Sequence, residues 1–156
     1  MELSNLEIKW FSSQNLNEVY ALDQKLFKGT NYEFTNADLS SFTSSTANIG
    51  KIAEDKDGDI LGYILYRNFP YDNAKELCKI GVRPGYQRKG IGTLLINEIK
   101  FQLNDTRFRI EAIVENNLYI PISFLEKNGF RSLYSLPDEN SQIYIYLKGI
   151  DFYLKG

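Results

Sequence analysis

The stretch VRPGYQRKGIGTLL, Val82 to Leu95, decides how the chain is read. It holds a strand end, a glycine-punctuated turn rich in donors, and a helix start. Backbone N–H groups in the first turn of a helix have no intrahelical partner, and the helix dipole adds positive potential there. A phosphate or pyrophosphate at that point is held by several N–H donors at once. Gly90 and Gly92 remove Cβ atoms where a ligand approaches the backbone. Arg88 and Lys89 add positive charge at the mouth, and Thr93 adds a hydroxyl in the first turn. Gly85 and Gly90 have the spacing of a triphosphate-binding loop, but Ile91 and Gly92 stand where Lys and Ser/Thr are required. The dinucleotide pattern G-x-G-x-x-G half-matches at Gly90 and Gly92 and fails at Leu95.

Composition narrows the classes. The 156 residues suit one domain, spanning 1–156, with a sizeable core. A net charge of −2 argues against a nucleic-acid partner. The chain has no histidine, which excludes Ser-His and Cys-His catalytic units and zinc sites built on His. A single cysteine, Cys78, forms no internal disulfide and fits a reducing cytoplasm. No metal is expected. The N-terminus lacks the basic and apolar runs of a signal peptide, and no apolar stretch is long enough for a membrane span.

Outward from the central stretch the pattern alternates. Toward the N-terminus, strands are expected at Leu6–Phe11, Ile49–Glu54, Ile60–Arg67 and Glu76–Val82. A helix fits Gln14–Phe27, and a shorter one follows a capping pattern at Thr35 and Asp38. The run Asp55–Asp59 reads as a hairpin tip, since a calcium loop of the EF-hand type needs more residues and a terminal Glu. Toward the C-terminus, Ile91–Leu103 is an amphipathic helix with Ile91, Leu94, Leu95, Ile99 and Leu103 on one face. Phe108–Val114 is a strand, and a helix opens at Pro121 and ends at Gly129. Phe130–Leu136 and Gln142–Lys148 are the last strands, joined by Pro137–Asn140. Cys78 shares an expected strand face with Glu76 and Ile80.

The segment from Gln87 through Gly90 to Gly92 resembles the acetyl-coenzyme A loop of the GNAT N-acetyltransferase family, which reads Q/R-x-x-G-x-G/A. Phe124–Phe130, FLEKNGF, is similar to that family's FYEKLGF segment. The nearest local pattern is that of the branch acetylating ribosomal-protein N-termini. The resemblance implies an α/β fold: a mixed, twisted sheet of about seven strands flanked by about four helices. It implies that the strands ending at Val82 and near Val114 are parallel neighbours that splay apart. The pantetheine arm of acetyl-CoA would then pair with the backbone of Ile80, Gly81 and Val82. Its pyrophosphate would lie on Gln87, Arg88, Lys89, Gly90, Ile91, Gly92 and Thr93, with Asn116 or Asn117 bonding the arm.

The implied reaction is direct attack of a primary amine on the thioester in a ternary complex. An α-amine titrates near about 7.7–8.0 and a lysine near about 10.4, so a base must take a proton. Glu76, opening its strand, and Glu111, mid-strand among apolar residues, are the candidates. Glu111 is favoured, because a carboxylate at that place needs a reason; by resemblance, Ile110-Glu111-Ala112 with Asn116 also matches the local pattern around a catalytic glutamate of the ribosomal-protein branch. The family's acid, a tyrosine, falls on Leu125, and Tyr119 is the nearest substitute. That departure leaves an alternative: a catalytically weak acyl-CoA-binding sensor of the same fold. The acceptor, a small-molecule or peptide amine, is not encoded in any motif. Edge strands in the C-terminal half allow a homodimer.

Overall fold

The structure, a computed structural model, describes residues 2–69, 74–102, 108–114, 120–135 and 142–148. Its strands are β1 (Glu7–Trp10), β2 (Asn48–Glu54), β3 (Ile60–Phe69), β4 (Ala74–Val82), β5 (Phe108–Val114), β6 (Arg131–Ser135) and β7 (Gln142–Lys148). The helices are α1 (Leu16–Phe27), α2 (Asn36–Ser40), α3 (Ile91–Gln102) and α4 (Ile122–Lys127). They form the expected mixed sheet of seven strands with four flanking helices. The strand order is β1-β2-β3-β4-β5-β7-β6. Every neighbouring pair is antiparallel except β4 and β5, which are parallel and connected through α3.

Central position explains composition. Residues 60–66 of β3 are all buried, because helices cover both faces of the sheet there. On one face, α3 lays Ile91, Leu95, Ile96 and Ile99 against Ile64, Tyr66, Leu77, Ile110 and Ala112. Ile96 takes the buried place expected of Leu94, which is half-buried. On the other face, α1 and α2 bring Val19, Leu22, Phe27 and Leu39 onto Ile52, Tyr63, Leu65 and Cys78. The cap before α2 forms as read: the Asp38 N–H donates to Thr35 Oγ1 (3.0 Å), and the Thr35 N–H to Asp38 Oδ2 (2.8 Å).

Several boundaries differ from expectation. A 3-10 turn over Ser13–Asn15 precedes α1, which therefore starts at Leu16. β3 and β4 run on to Phe69 and from Ala74, so Glu76 lies inside β4 rather than opening it. A bulge also interrupts β4: Leu65 faces Lys79 while Tyr66 faces Leu77, leaving Cys78 as the extra residue. Cys78 and Lys79 consequently both point to the α1/α2 side, and Ile80 turns to the α3 side. The expected sharing of one face by Cys78 and Ile80 does not occur. The expected Pro137–Asn140 connection lies outside the described residues.

This packing makes two positions testable. A Cβ on Gly81 would meet the Tyr63 ring at 2.5 Å. Gly81→Ala is expected to lose about 1–3 kcal/mol by overpacking, read as a lower denaturation midpoint with an unchanged m-value. Cys78 is 1% exposed, and burial pushes its thiol up to about 12. At pH 8 an aromatic disulfide reagent should leave it untouched in the folded protein and titrate one thiol after denaturation.

Candidate active site

The parallel ladder between β4 and β5 is short. Ala74 pairs with Arg109, Lys75 with Ile110 and Glu76 with Glu111. Among the described residues the ladder stops there, although β4 continues to Val82 and β5 to Val114. The β5-facing edge of Leu77–Val82 thus parts from its neighbour, and backbone groups on such an edge need another partner. This is the splay expected of Val82 and Val114. Within it, Gly81 is buried under Tyr63, while Ile80 and Val82 pack toward α3.

Directly beyond Val82 comes the turn into α3. Gln87, Arg88 and Lys89 are exposed along it. The Gln87 side chain donates from Nε2 to the Val82 carbonyl (3.1 Å), folding the turn back on its strand. Arg88 and Gly90 both have positive φ, 63° and 90°, so Gly90 is needed for its backbone conformation. Leu94 N–H bonds the Gly90 carbonyl (2.9 Å) as the first helical bond. The amides of Ile91, Gly92 and Thr93 precede it and have no intrahelical acceptor. α1 and α2 each carry an acid in the first turn, Glu18 and Asp38, whereas α3 carries none. The N-terminus of α3 is thus electrostatically suited to an anion. Gly92 has a packing reason as well: a Cβ there would meet Phe124 at 3.0 Å, so the glycine lets α4 pack on α3.

The two candidate bases are neighbours in the sheet. Glu76 and Glu111 are cross-strand partners at the last rung before the strands part. Together with Phe69 and Arg109 they line a hollow of about 250 Å³. They lie on the α1/α2 face, two residues from Cys78 and Ile113 respectively, which pack with that core. Each carboxylate has an arginine: Arg67 Nη1 donates to Glu76 Oε1 (2.7 Å) and Arg109 Nε to Glu111 Oε2 (2.8 Å). Both side chains retain partial access to solvent, 15% and 25%. Arg67, Arg109 and Phe69 were missed in the sequence, because nothing but tertiary pairing brings them to the glutamates.

Leu125 is wholly buried in the α3-side core. Asn116, Asn117 and Tyr119 lie outside the described residues. A buried cluster of Asp23, Tyr63 and Lys79 on the α1/α2 side had no sequence signal beyond a polar residue at an apolar position of α1. No helix among the described residues is long and apolar enough to cross a membrane.

Comparison with known proteins agrees with this architecture. Residues 49–132, more than half of the chain, match the model of the acetyltransferase (GNAT) domain. No curated protein matches the sequence. Among solved structures, an acetyltransferase from Thermus thermophilus superposes with a TM-score of 0.74 at 16% identity, covering 94% of this chain and 99% of that one. The ribosomal-protein-S18-alanine N-acetyltransferase of Escherichia coli gives 0.70 at 16% identity, over 94% and 96%. The PaiA N-acetyltransferase of Thermoplasma acidophilum, solved in complex with coenzyme A, gives 0.68 at 19% identity, over 90% and 98%. These likenesses concern the fold, and the match spanning the splayed strands, the turn and α3 assigns the chain to a family: it belongs to the GNAT acetyltransferases.

Proposed function

We propose that this protein, acting as a single domain, transfers the acetyl group of acetyl-CoA to a primary amine by direct attack in a ternary complex. The observation that carries the reading is the free β4 edge running straight into the acid-free N-terminus of α3. A linear ligand with an amide-rich arm and a pyrophosphate needs those two features in that order. Backbone groups of Ile80–Val82 would pair the arm, and Gln87–Thr93 would receive the phosphates. The coenzyme A bound by the Thermoplasma relative supports the same choice of donor here.

On the opposite face the amine would enter the hollow at Glu76 and Glu111. Each glutamate spends one oxygen on an arginine and keeps a second for the amine. The amine nitrogen attacks the thioester carbon and its proton passes to a glutamate. Backbone N–H groups on the open β4 edge between Glu76 and Ile80 would stabilise the oxyanion. The C–S bond then breaks and the thiolate takes up a proton. Tyr119 is our proposed donor, because the position of the family tyrosine is the buried Leu125. That same leucine favours the second reading, an acyl-CoA sensor with weak turnover. The ribosomal-protein-S18 alanine in the name of the Escherichia coli relative makes an alanine-led peptide amine one acceptor to assay, beside small amines.

At an acetyl-CoA concentration 100 times its dissociation constant, the folded protein should gain about 2.7 kcal/mol of apparent stability. A thermal melt should show this as a clear upward shift. The double charge reversal Arg88→Glu/Lys89→Glu, on exposed side chains, should abolish most of it. No shift in the wild-type protein at millimolar acetyl-CoA would refute both readings.

Loss of a general base costs typically about 10²–10⁴ in rate. Glu111→Gln should therefore lower kcat by at least about tenfold with an unchanged acetyl-CoA melt shift, and Glu76→Gln is expected to act in the same direction. Robust cofactor binding with negligible wild-type thiol release toward every amine would favour the sensor.

A further inference from the structure

The α1/α2 face carries a second charged group that acetyl transfer, as set out above, leaves unused. Lys79 follows the bulge on β4 and is 1% exposed. Its ammonium pairs with Asp23 Oδ1 of α1 at 2.8 Å. It donates to the carbonyl of Tyr32 (2.5 Å), in the connection between α1 and α2. It also sits over the rings of Phe34 (3.8 Å) and Phe27 (4.3 Å). The Tyr63 hydroxyl of β3 donates to the same Asp23 Oδ1, and its ring fills the space beside Gly81. Asp23 is fully buried, and its Oδ2 has no partner among the described residues.

A buried lysine must recover what it loses in hydration. Burial pushes the Lys79 ammonium below its ordinary range, and Asp23 opposes that shift. The partners that compensate Lys79 come from three places: the body of α1, its end at Phe27, and the connection through Tyr32 and Phe34. The connection also packs Tyr32 and Phe34 onto the α1/α2-side core, where Phe34 stacks on Phe42, and local bonds tie it to α1. Thr30 N–H reaches the Phe27 carbonyl, Gly29 N–H reaches Glu33, and Gln24 Nε2 reaches the Phe34 carbonyl. Lys79 instead reaches it from the sheet, on the strand and face that carry Glu76.

We propose that Lys79, through Asp23 and Tyr63, is a positioning residue for the amine acceptor: it clamps the Lys28–Thr35 connection to β4 and so sets one wall of the acceptor side. The inference rests on the transferase reading above for what the wall contacts. The clamp itself does not depend on that reading. Lys79 touches no reacting atom in this scheme. The acetyl-CoA edge of β4 points along the sheet toward β5, whereas Lys79 projects from its face; Tyr63 lies beside Gly81, but Tyr63→Phe keeps that ring, so donor binding should be indifferent to the loss of the charges.

The test removes the whole cluster at once, because deleting Lys79 alone would strand a buried carboxylate. The triple variant Asp23→Leu/Tyr63→Phe/Lys79→Met keeps similar volumes without charge. Acetyl transfer would be followed with benzylamine, spermidine and an alanine-led hexapeptide as probes. For the best probe, the amine KM should rise about tenfold or more, with kcat and the acetyl-CoA KM within about threefold of wild type. Amide exchange over residues 28–35 should accelerate by about tenfold or more while β3 and β4 stay protected. An unchanged amine KM, or an equal rise in both KM values, overturns the positioning role. Unchanged exchange over 28–35 overturns the clamp. Absence of both a melt shift and any turnover in the wild type refutes the transferase reading instead, and the exchange experiment still decides the clamp.

Discussion

Two parallel strands that separate after one shared carboxylate rung leave an interior edge of backbone donors and acceptors without a sheet partner among the described residues. In a small domain such an edge is a cost unless something else fills it. The rest of the structure is arranged around that opening. On its other side β4 pairs with β3 at every residue from Ala74 to Val82 except the bulged Cys78. β5 is held away by an extensive ladder with β7. The turn after Val82 then bends back through Gln87, and α3 starts where the opening is widest in sequence terms.

The opening also separates two chemistries. The donor-rich turn belongs with α3 and its core, whereas Glu76, Glu111 and their arginines lie on the face under α1 and α2. In the proposed reaction the two substrates would meet only through the gap in the sheet. In that reaction the arrangement would keep a cationic amine away from the basic turn. It also explains why charge pairs, rather than apolar packing, line the sheet where the strands part: the residues there face an open hollow and not a helix.

Much of this was legible. The turn, the strand before it and the helix after it follow from local chemistry, and the capping box at Thr35 formed with both of its bonds. The fold order followed from the family resemblance. The relation of Glu76 to Glu111 was not legible, since it is set by a parallel register that no local signal specifies. Gly92 fitted the ligand motif, yet its tightest neighbour is Phe124, far along the chain. Asp23 and Lys79 belong to no motif in the sequence. They are buried because each compensates the other, and pairing across more than fifty residues leaves no periodic trace. Leu94 and Ile96 exchanged places because a helix packed at an angle to a twisted sheet buries a drifting stripe.

The bulge at Cys78 acts as a phase shift within one strand. Before it, alternate residues of β4 address one set of neighbours; after it, the same parity addresses the other. Glu76 and Lys79, an odd number of positions apart, can therefore share a face while Ile80 and Val82 stay with α3. The inserted residue thus couples the two halves of the strand in a discrete way. A lineage that lost it would not weaken the site by degrees, but would invert the outer half of β4 in a single step. Deleting one residue here would therefore change more contacts than replacing the small buried side chain that occupies the position.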